Sequence, residues 1–204
     1  MSDTHDNIYA LRRIVSLIRR VEPDLVVHCG DYISPFAVKE LLRSNAKIRG
    51  VWGNNDGDKH KILEIISGTD FHIYPQPLEL GISGYKCVVF HGWRSPELTK
   101  KTIYSIGKSG NYRFIFYGHT HNLDVSIVKN KDIKPLDISK GEASVGMDEF
   151  NTIIINPGEA SGWLSNKSSV VLVDVAEKVH VRIIYLIHEE RMGEIYNIWL
   201  SGTT

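Results

Sequence analysis

Apolar residues recur along the chain with two different periods, and the alternation of those periods predicts its elements. In NIYALRRIVSLIRRVEP, Ile8, Leu11, Val15, Ile18 and Val21 return at helical spacing, with Asp6 or Asn7 placed to cap the start. SPFAVKELLR, DKHKILEIIS and SPELTKKTIYSIG carry further helices. Between them lie short β-branched runs bounded by Gly, Pro or Asn: DLVVH, KIRGVW, KCVVF, RFIFY, NTIII and SSVVLVDV. Such runs read as strands buried on both faces of a sheet. PLELGISGYKCVVF reads as a hairpin. Helix and strand alternate through the first two thirds, which predicts an α/β domain with parallel strands. After about residue 123 strands dominate, and a second, more antiparallel sheet is the economical reading. Residues 129–150 are charged and Gly-bearing and read as a hairpin or loop excursion with little core. Residues 187–204 read as a C-terminal extension, a short helix with Met192, Ile195 and Trp199 on one face.

Composition narrows the function classes. The 204 residues suffice for one domain with a proper core, and Lys+Arg and Asp+Glu balance at 24 each. No overall field draws the chain to nucleic acid or anionic lipid, so neither a stable nucleic-acid complex nor a membrane is expected as partner. Any affinity for phosphate must come from a local site. With two cysteines, Cys29 and Cys87, and no long uncharged apolar run, the expectation is a reduced cytoplasmic chain without disulfides.

That local site is written at the strand ends. VVHCGDY puts Asp31 after a strand; VWGNND does the same for Asn54, Asn55 and Asp56, VVFHGW for His91, and IFYGHTH for His119 and His121. IIINPGE repeats the pattern with Asn156 and Glu159. The carboxyl ends of parallel strands converge on one crevice, so these side chains are expected to form one cluster. Asp3 and His5 of MSDTHDN add two more donors. Imidazoles, carboxylates and an amide oxygen without a thiolate quartet describe a catalytic rather than a closed structural metal site. Seven donors exceed the need of one ion with open water positions and suit two divalent ions sharing a carboxylate. Taken singly, Gly-Asp and GNND are ordinary turn sequences; their joint order is what carries weight.

The order SDTH, CGD, GNND, HG, GHTH resembles the calcineurin-like metallophosphoesterase superfamily, in particular its small single-domain prokaryotic phosphodiesterase branch, over about residues 2 to 186. The resemblance implies a four-layer αββα sandwich of two mixed β-sheets flanked by helices, within a domain spanning residues 1–186. It implies that Asp3, His5, Asp31 and His121 hold one metal and Asp31, Asn54, His91 and His119 the other, with Asp31 bridging. Manganese or nickel is the expected metal, with zinc, iron or magnesium as further options. The implied activity is hydrolysis of a small phosphodiester or nucleotide through a metal-bridging hydroxide, with Asn55, Asp56 and His119 nearest the chemistry. A non-catalytic scaffold is the alternative, because the eukaryotic retromer uses an assembly subunit of this fold. Scaffold members tend to lose metal-site histidines, whereas all seven donors stand here.

Three features depart from the family's fuller pattern. Asn55 stands where many members carry a histidine expected to protonate the leaving group, and an amide cannot supply that proton at neutral pH. Trp93 replaces the second imidazole of a His-Gly-His and is placed to contact a base or aromatic leaving group, or to pack on a neighbouring loop. Finally, only Met1 precedes SDTH, where the resemblance expects an apolar first strand; the expectation is that this strand is missing from the sequence and that the natural protein starts upstream. The C-terminal extension is placed either to pack back on the domain or to make a subunit contact in a homo-oligomer.

Overall fold

The computed structural model describes residues 1–187, so the expected C-terminal helix lies, from residue 188 on, outside the described residues. Helix α1 (Ile8–Val21) starts where the Asn7 side chain accepts from the Ala10 amide, and it buries Ala10, Leu11, Ile14, Val15, Leu17 and Ile18 along one stripe. Strands β1 (Val26–His28), β2 (Ile48–Val51) and β3 (Phe71–Tyr74) pair in parallel, joined by helices α2 (Pro35–Leu42) and α3 (Lys59–Ile66). Next come β4 (Leu78–Ile82), β5 (Tyr85–Val89), α4 (Pro96–Ser109), β6 (Phe114–Phe116), β7 (Leu123–Lys129) and β8 (Asp132–Pro135). Strand β9 (Glu142–Gly146), a 3-10 turn at Met147–Glu149, β10 (Thr152–Pro157), β11 (Ser168–Val175) and β12 (Lys178–Ile187) follow.

These strands make a mixed sheet in the order β4-β5-β6-β10-β7-β8 and an antiparallel one in the order β11-β12-β9, beside the parallel β1-β2-β3. Period-two alternation on β5, β6 and β10 divides the core in two. Cys87, Phe114, Ile153 and Ile155 face the antiparallel sheet's Val179, Val181 and Ile183, while Val88, Ile115 and Ile154 face Ile103 of α4. Val89 meets Cys29 and Val51 of the parallel sheet. Helices α1, α2 and α3 cover that sheet's other face through Leu11, Ile14, Val38, Leu41 and Ile62. The layers are therefore helix, sheet, sheet, helix, the expected α/β sandwich. In the stretch 129–150 β7 turns into β8 as a hairpin, one of the two expected readings, but the expectation of little core fails: β9 follows, and Val145 and Phe150 are buried between the sheets.

Among the described residues no strand precedes α1. Met1 to Asp3 instead run beside the end of β1: the Met1 amino group donates to Val27 O at 2.9 Å and Cys29 N to Met1 O at 3.0 Å. On the other side Ala160 N donates to Ser2 O at 2.9 Å. Below Met1, β1 pairs with β2 and β11 with β12, and their other edges face one cleft of about 800 Å³ lined by Val26, Val27, Phe116, Val170 and Leu172 among others.

Candidate metal centre

Strands β1, β2, β5 and β6 end at the same rim, and the loops beyond them carry the donors. Asp3 and Asp31 are fully buried, as is His91. His5 Nε2 lies 3.7 Å from Asp3 Oδ1 and 3.4 Å from Asp31 Oδ2, and His121 Nε2 lies 3.5 Å from the same Asp3 oxygen. On the far side His91 Nε2 lies 3.5 Å from Asp31 Oδ1 and 2.8 Å from Asn54 Oδ1. Among the described residues two groups have ligand atoms close enough to share an ion, Asp3 with His5 and His121, and Asp3 with Asp31 and His91. His119 stands just outside both. Its ring meets that of His91 at 5.1 Å, and its Nε2 is 3.0 Å from Arg94 O, which leaves Nδ1 with the ring's lone pair.

Local conformation is driven by this convergence. Asp3, His5, Asp31, His119 and His121 all adopt positive φ, at 54°, 39°, 59°, 68° and 58°. Side chains other than glycine avoid that region, and strain of this kind, about 1–3 kcal/mol each, persists where surrounding contacts over-determine it. Those contacts are present. Asp3 N donates to Gly30 O, Thr4 N and His5 N donate to Asp31 O, and His119 N donates to Asp3 Oδ2 at 3.1 Å. The motif glycines have a steric reason. A Cβ at Gly53 would lie 2.1 Å from Asp31 Oδ1, and one at Gly30, whose φ is +98°, would lie 2.8 Å from His91 Nδ1.

The donor atoms fit divalent cations. His91 Nδ1 faces Cys29 O at 2.8 Å and so carries the proton, leaving a lone pair on Nε2 that points at two more oxygen acceptors. Asp3 Oδ1 and His5 Nε2 are buried without any hydrogen-bond partner. Lone pairs converging without a proton between them repel, and buried orphans of this kind are rare. A cation coordinated by them removes both costs. Electrostatics agree: burial would raise Asp3, but contact with His5 and the nearby His91 and His121 holds its carboxyl below the ordinary range.

Residues around the donors complete the site. Asn55 N and Nδ2 donate to the two Asp31 oxygens at 2.9 and 2.8 Å, so this side chain is engaged in orienting Asp31. The Asp56 carboxylate accepts from Tyr32 N, Ile33 N and Gly53 N, tying the GNND loop to the CGD loop, and burial pushes its pKa up. Trp93 is half-buried, with its ring 5.3 Å from that of Phe90. Asn156 donates to Gly118 O and Thr120 Oγ1, holding the GHTH loop. Glu159 is fully buried, accepts from Ser161 Oγ, Leu164 N and Ser165 N, and faces His121 Nδ1 at 3.4 Å. Sequence reasoning missed Gln76, whose Oε1 accepts from His91 N and Gly92 N, and Thr4 with His28, which meet at 3.3 Å behind the first donor loop. Neither a lone Gln before Pro nor a strand histidine carries a signal for such a role.

A helix, sheet, sheet, helix sandwich that gathers imidazole and carboxylate side chains at one rim is the architecture of a metal-binding phosphoesterase. Residues 1–178 match the model of the calcineurin-like phosphoesterase superfamily domain, so the chain belongs to that superfamily and is a hydrolase of phosphoric esters. It is 28% identical over 185 residues to phosphodiesterase MJ0936 of Methanocaldococcus jannaschii, covering 90% of this chain and 96% of that one. The solved structure of a novel archaeal phosphodiesterase superposes with a TM-score of 0.70 at 28% identity, over 91% of this chain and 97% of the other. A single-mutant Vps29 from Entamoeba histolytica shares the fold, with a TM-score of 0.55 at 14% identity over 85% and 88% of the two chains. Among the described residues no helix is long and apolar enough to cross a membrane.

Proposed function

We propose that the chain is a phosphodiesterase that uses two divalent ions to hydrolyse small phosphodiesters or nucleotides. The observation that carries this reading is the placement of Asp31, which offers Oδ2 to His5 at 3.4 Å and Oδ1 to His91 at 3.5 Å and so lies between the two donor groups. Asp3, His5 and His121 would complete one ion's shell, and Asn54, His91 and His119 the other's; manganese or nickel suits this mixed set, with zinc, iron or magnesium as alternatives. Bound there, the ions supply an activated water and a clamp for the charge that develops on the phosphoryl oxygens.

The chain's own residues position and shield. Asn55 fixes both Asp31 oxygens and has no proton to give, so esters with acidic leaving groups are the favoured substrates. The identity with phosphodiesterase MJ0936 supports the substrate class. The scaffold reading rests on likeness in fold to Vps29, and the complete donor set counts against it.

Hydrolysis of bis(p-nitrophenyl) phosphate with added manganese or nickel tests the reading. The rate should vanish with EDTA and fall by at least about 100-fold in Asp31→Asn and in His119→Ala, in proportion to the transition-state stabilisation a lost charge partner removes. A rate indifferent to these changes would place the activity elsewhere.

A further inference from the structure

The loop after β10 carries a tryptophan that neither the metal centre nor the core uses. It is held against the first donor loop: Ser161 N donates to Asp3 O at 3.0 Å, and Asn7 Nδ2 to Ser161 O at 2.7 Å. Glu159 accepts from Leu164 N and Ser165 N and fixes its far side. Between these anchors, Trp163 Nε1 donates to His5 O at 3.0 Å, the backbone of a metal-centre residue. The ring is nonetheless 43% exposed, and Leu164 beside it is 74% exposed. Trp52 and Trp93 are half-buried, the first under the Lys59 ammonium at 5.3 Å and the second beside Phe90.

We propose that Trp163 is a specificity-determining residue whose indole face stacks on a planar aromatic substituent, a nucleobase or an aryl group, of the ester bound at the Asp3/Asp31 centre. The proposal deepens the phosphodiesterase reading and rests on it. The physical reason lies in what the ring has left to offer. Its one donor edge is satisfied by His5 O, so its remaining interaction surface is the π-face and the apolar edge. A ring fixed by a hydrogen bond on a pinned loop loses little conformational entropy on binding, which favours it as a platform. Its anchor is a residue whose imidazole points at Asp31, so a phosphoryl group at the metals puts its substituent in the ring's neighbourhood. Base stacking is sequence-tolerant, so the preference is for planarity and not for one base.

Calorimetric binding of adenosine monophosphate and of ribose 5-phosphate to the manganese-loaded protein separates the base from the phosphate. The wild type should bind the nucleotide at least about tenfold more tightly, as stacking on one aromatic side chain supports. Trp163→Ala should abolish that preference and leave ribose 5-phosphate within about twofold, whereas Trp163→Phe, which also lacks the donor, should retain most of it. Equal affinities in the wild type, or equal losses for both ligands in Trp163→Ala, would overturn the proposal while leaving the phosphodiesterase reading in place. If the metal-loaded wild type bound neither ligand, the phosphodiesterase reading would fall and this proposal with it.

Discussion

Glu159 Oε2 lies 3.4 Å from Nδ1 of His121, while Nε2 of the same ring lies 3.5 Å from Asp3 Oδ1. The imidazole lies between two buried carboxylates, one behind Nδ1 and one that shares its ligand face. Carboxylates behind a ligating histidine set its tautomer and strengthen it as a donor, and their loss costs about 10–100-fold in metal affinity. Glu159→Gln should therefore weaken manganese binding by that order, read by calorimetric titration, with far-UV circular dichroism unchanged. An unaltered affinity would mean that Glu159 serves the loop alone.

The same carboxylate makes a pH prediction. Burial by itself would raise Glu159, but His121, Ser161 and the Leu164 amide outweigh it and hold the group at about 2, against an ordinary 4.5. Between those values the unfolded chain binds a proton that the folded chain does not, so stability falls as pH falls. The contribution is complete above pH 4.5 and lost by about pH 2. In Glu159→Gln the slope of stability against pH in this window should shrink by up to about 1.4 kcal/mol per unit. Denaturant midpoints at pH 5, 4 and 3 measure it, and parallel slopes would contradict an ionised Glu159.

Gly53 has no room for a side chain. Alanine there would put a methyl carbon 2.1 Å from Asp31 Oδ1 and 2.5 Å from Asp31 N, so the GNND loop must move away from the CGD loop. Displacement of about 1 Å at a reacting centre costs about 100-fold in rate. Gly53→Ala should lose activity on that scale and retain its sandwich, since the loop lies outside the apolar clusters. Full activity would show that the two loops adjust independently.

The cleft between β1 and β11 makes a stability prediction. Its walls include Val26, Val27, Phe116 and Val170, and Met1 already continues the β1 ladder at its upper end. Fusing about six alternating β-branched residues ahead of Met1 extends that ladder, and two more buried side chains are worth about 3–6 kcal/mol. The thermal midpoint of a domain this size should rise by at least about 6 °C, measured by calorimetry in EDTA so that metal does not contribute. An unchanged midpoint would show that the cleft does not accept a strand.

Helices and strands were legible because their burial is one-sided or two-sided in ways that leave a period. Ile8, Leu11, Val15 and Ile18 announced α1, and KCVVF, RFIFY and NTIII announced strands that the structure buries on both faces. In Lys129–Phe150 the hairpin of β7 and β8 was legible, but the buried role of β9 was not, because β9 is short and offers only Val145 as a large apolar core residue. Glu159 was legible as a strand-end residue near the cluster, but nothing in NPGE tells that its carboxylate meets an imidazole on another strand's loop.

The sequence by itself determined the donor inventory and its order, because strand-end placement and ligand chemistry are local properties of SDTH, CGD, GNND, HG and GHTH. It also determined the family, which those motifs carry. Only the tertiary structure decided which lone pairs face each other, that Asn55 spends its hydrogen bonds on Asp31, and that Trp163 is tied to the His5 backbone while staying partly exposed. Those are relations between residues far apart in the chain. They depend on how two sheets pack and which loops they bring to one rim, which no local pattern encodes.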